Sequence, residues 1–201
     1  MPEAIRASAP GAVAPRTYTI HRYPTELIDR WALEDGRAVT IRPVLPQDEV
    51  AVQAFVRRLS QESRSHRFLV GLAELPPRLL AQFTQVDYRR HMALIAESVV
   101  YGQAILIGEA RYVVDDDGRS ADFAIAVADD WHQGGIGSRL LRMLENSARG
   151  AGIERFTGDV LGSNRKALDF MHQRGFGART NSEERRLMRV EKLLGADQAS
   201  A

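Results

Sequence analysis

Apolar positions change their period partway along this chain. Val50, Val52, Phe55, Val56 and Leu59 fall largely at the three-to-four-residue steps of one helix face. Pro46-Gln47-Asp48-Glu49 precede them, and acidic residues suit the positive start of a helix. Upstream, Trp31-Ala32-Leu33 and Ala38 to Ile41 flank Glu34-Asp35-Gly36-Arg37. An Asp-Gly step between apolar runs predicts a hairpin, and Pro43 ends its second strand. Residues 60–75 read as loop plus a short helix, and Pro76-Pro77 open another helix that runs to about Phe83.

Beyond that point the runs shorten into strands at 92–96, 103–114 and 121–127, with a turn at Asp115-Asp116-Asp117-Gly118. These three predict an antiparallel meander. The order then becomes helix (136–151), strand (155–161), helix (164–174) and strand (about 184–190). The pattern is that of an α/β (α+β) domain over residues 23–194. Residues 1–22 lack apolar periodicity and are expected to form a flexible tail, as is the stretch 195–201.

Composition narrows the function classes. The 201 residues carry 27 basic and 26 acidic side chains, a net charge of +1 that gives no long-range field for nucleic acid. No apolar run is long enough to span a membrane, and no secretory signal opens the chain. The absence of cysteine removes disulfides, thiolate metal sites and a cysteine nucleophile, and suits a cytoplasmic location. Five histidines show no zinc-helix spacing, so no metal is expected.

The segment with chemical content is Trp131-His132-Gln133-Gly134-Gly135-Ile136-Gly137-Ser138, between a strand and an amphipathic helix. The first N–H groups of a helix have no partner within it. Together with the helix dipole they suit a phosphate or pyrophosphate, and glycine lets the ligand approach closely. No Gly-Lys-Ser/Thr follows, so this is not a Walker loop. Leu140 stands where a dinucleotide fingerprint needs its third glycine.

The chain here resembles the GCN5-related N-acetyltransferase (GNAT) superfamily. Two motifs carry the likeness: the pattern Gln/Arg-x-x-Gly-x-Gly/Ala on His132 to Gly137, and Asn164 followed by a helix and Gly175-Phe176. A narrower likeness to bacterial Pat-type protein lysine acetyltransferases rests on Ile41-Arg42-Pro43, the segment 83–94 and Ala121-Asp122-Phe123-Ala124. The resemblance implies a mixed, mostly antiparallel sheet of six to seven strands. Such a sheet parts between its fourth and fifth strands and is flanked by about four helices. It implies acetyl-CoA as cosubstrate, with the pantetheine along Ile125, Ala126 and Val127. The pyrophosphate would sit on His132, Gln133, Gly134, Gly135, Ile136, Gly137 and Ser138, and Asn164 would touch the cofactor arm.

Two positions depart from the family pattern. His132 replaces the usual Gln or Arg, and Met171 stands where many members place a proton-donating tyrosine. An alkylammonium must lose a proton before it can attack the thioester. Asp122, where the Pat-type group commonly has glutamate, is the first candidate base, and Glu109 is the second. A backbone N–H near Val127 would meet the oxyanion. The expected activity is acetyl transfer to a primary amine, either a small molecule or a protein lysine, by a monomer or homodimer. The alternative from another class is a non-catalytic acyl-CoA-binding regulatory module.

Overall fold

The structure, a computed structural model, describes residues 21–69, 71–132 and 134–195. Apart from His21, Arg22 and Gly195, the tails expected at 1–22 and 195–201 lie outside the described residues. The strands are β1 (Asp29–Ala32), β2 (Ala38–Pro43), β3 (His91–Val100), β4 (Gln103–Val114), β5 (Ser120–Val127), β6 (Arg155–Leu161), β7 (Gly177–Thr180) and β8 (Leu187–Leu193). They form one sheet in the order β1-β2-β3-β4-β5-β6-β8-β7. All pairs are antiparallel except β5 with β6.

The helices are α1 (Glu49–Arg58), α2 (Gln61–Phe68), α3 (Pro77–Thr84), α4 (Ile136–Gly150) and α5 (Arg165–His172). The mixed class and open sheet are those expected. The additional strand is β7, whose four residues are all exposed and so lack the alternation that marks a strand in sequence.

Alternation along β3 shows why the sheet needs cover on both faces. Met92, Leu94 and Ala96 join one apolar cluster, and Ala93 and Ile95 join the other. The first cluster takes Leu140, Leu141, Leu144 and Ala148 from α4. The second takes Val52, Phe55 and Val56 from α1 and Phe83 from α3. Val50, which opened the predicted apolar face of α1, is instead exposed, because it precedes the 52–55–56 stripe by two residues.

The sheet opens at one place. β5 and β6 pair only over Ser120–Asp122 and Arg155–Thr157. Farther on, β6 follows β8 as far as Leu161, while residues 123–127 of β5 have no strand partner on that side. The opening falls between the fifth and sixth strands of the chain, which are the fourth and fifth expected to part when β1 is left out of the count.

Gly158 of β6 stands at the opening. A Cβ there would lie 3.0 Å from the Phe123 carbonyl oxygen and 3.2 Å from the Phe123 ring. Gly158→Ala is therefore expected to cost about 1–3 kcal/mol through overpacking. The change should appear as a lower denaturant midpoint at an unchanged slope.

Candidate active site

The parted strands enclose a cleft of about 980 Å³. Phe123 to Val127 of β5 form one wall, and Gly158, Asp159 and Val160 of β6 face them. Phe123 stacks on Phe156 at 5.2 Å and meets Phe176 at 5.1 Å, which fixes the floor where the strands separate. The unpaired edge of β5 offers main-chain N–H and C=O groups to an extended ligand.

At the far end of β5 the chain turns through the short helix Asp129–Trp131 into α4. Gly135 caps α4 at φ +67°, a left-handed conformation that glycine adopts without strain, and no side chain caps the helix there. The first N–H groups of α4 are thus left facing the cleft, where Gly135, Gly137 and Ser138 are lining residues. Trp131 is buried beneath the turn, with the Arg37 guanidinium 3.8 Å from its ring centroid.

Of the expected cofactor contacts, Ile125, Ala126, Val127, His132, Gly135, Gly137, Ser138 and Asn164 line the cleft. Ile136 is buried in the core behind them. Gly134 is not among the cleft residues, and a Cβ there would meet Leu33 at 3.3 Å. Gln133 lies outside the described residues. Nε2 of His132 lies 2.9 Å from the Val127 carbonyl oxygen. A carbonyl only accepts, so in that contact the Nε2–H donates to the backbone; a phosphate donor would have to be Nδ1 of the charged ring. Asn164 caps α5 by accepting from Ala167 N at 3.1 Å while also facing the cleft.

The structure also brings in side chains that the motifs did not single out. Arg174 donates to Ser138 Oγ and stacks 3.9 Å over Phe170, which places a fixed cation beside the start of α4. Arg165 and Lys166 join it on the same side. On the other side α2 contributes Glu62, Ser63, His66 and Arg67. The short helix expected within 60–75 is α2, which starts where Ser60 Oγ accepts from Ser63 N.

The two candidate bases occupy different environments. Asp122 is the last residue of β5 paired with β6, at the apex of the opening. Phe123 points into the core, so Asp122 projects from the opposite face, where it is exposed to solvent although the surrounding protein crowds its carboxyl. Burial by the surrounding protein pushes its carboxyl up to about 6; Asp159 and Asp115 add to this, and Arg189 and Arg67 oppose it. Asp122 does not itself line the cleft, but its neighbour Phe123 does.

Glu109 is 2% exposed and is not a cleft residue. It accepts from Arg111 Nε and, at 3.2 Å, from Arg67. Burial alone would raise its carboxyl, but Arg111 and Arg67 outweigh burial and hold it below the usual range. Both oxygens already serve cations, so the carboxylate acts first as an anchor for α2.

Asp87 and Tyr88, in the segment 83–94 that carries the narrower likeness, do not line the cleft. Asp87 Oδ1 accepts from the backbone N–H of residues 89, 90 and 91. The Tyr88 hydroxyl donates to Val44 O at 2.8 Å, and burial pushes it up to about 12. Met171 is buried and lines the cleft from α5. No group of three potential metal ligands occurs among the described residues. No helix among them is long and apolar enough to cross a membrane.

An unpaired strand edge leading to a glycine-opened helix start, with cations beside it, suits an extended anionic ligand. The chain belongs to the Acetyltransferase (GNAT) family, whose model it matches over residues 55–176, and is an acetyl-CoA-dependent N-acetyltransferase. It is 33% identical to an acetyltransferase of Pseudomonas aeruginosa over 150 residues, 74% of this chain and 81% of that one. It is 33% identical to the acetyltransferase Pat of Mycolicibacterium smegmatis over 139 residues, 67% of this chain but only 40% of Pat. The solved GNAT domain of S. lividans PAT shares the fold at a TM-score of 0.76 and 27% identity, covering 86% of this chain and 99% of that domain.

Proposed function

We propose that this chain transfers the acetyl group of acetyl-CoA to a primary amine, and that the amine is a protein lysine. The observation that carries the proposal is the parting of β5 from β6 next to the Gly135 helix start. The Pat-type likeness favours the lysine acceptor. A cytoplasmic setting suits acyl-CoA chemistry and a chain without cysteine.

In this reading the pantetheine pairs with the open edge of residues 123–127, and the pyrophosphate takes N–H groups of residues 135–138. Asp122, through a water, takes the ammonium proton. A carboxyl raised to about 6 is ionised at neutral pH, yet it is a stronger base than an ordinary aspartate. The freed amine attacks the thioester directly, and a backbone N–H near Val127 stabilises the oxyanion.

Thiol release from acetyl-CoA, measured with lysine peptides, intact proteins and small amines in parallel, tests the proposal. Turnover with peptide or protein lysines well above that with small amines is expected. Preference for a small amine would reject the lysine acceptor. Acetyl-CoA binding without turnover on any amine would support a regulatory binding module instead.

A further inference from the structure

Departure of CoA produces a thiolate beside a cleft wall that holds Met171, which has no proton to give. Several other polar side chains along the cleft are already committed. Asp129 accepts from the hydroxyls of Ser60 and Ser63, and Asp159 accepts from Arg189 and Asn181. The Ser138 hydroxyl accepts from Arg174, and Nε2 of His132 meets the Val127 carbonyl.

His66 differs from these. It lies on α2, lines the cleft, and its side chain is 23% exposed. Its ring makes no hydrogen bond among the described residues, and its Nε2 lies 4.0 Å from Glu62 Oε1, one helical turn earlier. The helix is fixed on either side of it. Ser63 Oγ donates to Asp129 at 2.6 Å, just beyond the end of β5, and Arg67 donates to Glu109 at 3.2 Å. Imidazole is the side chain suited to taking and returning a proton near neutrality.

We propose that His66, with the Glu62 carboxylate one helical turn away, carries a proton from the attacking nitrogen to the departing sulfur; this rests on the amine-acetylation reading above. The first ammonium proton leaves through Asp122 to solvent. The neutral nitrogen then forms its bond to the carbonyl carbon and becomes cationic. His66 takes one N–H proton as the C–S bond breaks and the electron pair leaves with sulfur. The imidazolium returns that proton to the thiolate, so amide and free CoA thiol are formed and His66 ends neutral.

The test compares wild type with His66→Gln, His66→Ala and Glu62→Gln, measuring turnover kinetics and acetyl-CoA binding by calorimetry. His66→Gln is expected to lower kcat about a hundredfold, the low end for general acid–base groups, with acetyl-CoA affinity unchanged. Added imidazole should partly restore His66→Ala, and Glu62→Gln should show a smaller loss than either. Wild-type turnover matched by His66→Gln would overturn this inference alone. A loss explained entirely by weaker acetyl-CoA binding, with no imidazole rescue, would overturn it too. No wild-type turnover with any amine would instead overturn the reading on which it rests.

Discussion

Glu109→Gln is expected to lower the unfolding free energy by about 3–5 kcal/mol, the range for breaking a buried ion pair by removing one partner. The variant keeps nearly the same volume but leaves Arg67 and Arg111 without their counter-charge, and Arg111 is itself 6% exposed. For a domain of this size that is a drop in Tm on the order of 10 °C. The pH dependence has a definite sign. Glu109 is held below the usual carboxylate range in the folded protein. Its contribution is therefore whole at neutral pH and is lost as pH falls through and below that range. Thermal melts of wild type and variant should converge in acid. A stable variant whose only defect is kcat would return Glu109 to the role of base.

Asp122→Asn should behave in the opposite way. Its kcat/KM is expected to fall about a hundredfold to a thousandfold, and the rise of wild-type activity with pH through about 6 should disappear. Stability should be unharmed. A carboxyl raised in the folded state favours folding while protonated, and that advantage is lost as pH rises through about 6. The neutral amide does not lose it. Asp122→Glu should retain activity. A pH–rate profile for Asp122→Asn that overlays wild type would remove Asp122 from the mechanism.

Local pattern revealed those parts of the fold and site that depend on neighbours in sequence. The strand expected at 155–161 coincides with β6, and the one expected within 103–114 fills that whole stretch as β4, because each alternates or runs apolar between clear turns. The glycine turn was legible because backbone conformation and helix start are encoded within a few residues. The acceptor side was not. Arg67 and Glu109 are 42 residues apart in sequence, and nothing local announces their pairing. Glu109 therefore reads as a free carboxylate in sequence and as a clamped one in the fold. The helix α2 buries none of its residues, so no apolar stripe marks it, although it forms one wall of the cleft.

That polar attachment separates two kinds of inheritance. Wherever α2 is not tied down through Ser60, Ser63, Arg64 or Arg67 or packed through Phe68 against Phe83, its residues belong to the class of surface positions whose replacement usually alters stability by less than about 0.5 kcal/mol. The sheet and the glycine turn tolerate far less. A lineage carrying this domain is thus free to vary what its cleft admits while keeping the cofactor side fixed, so changes of acceptor should accumulate on α2 long before they reach β5.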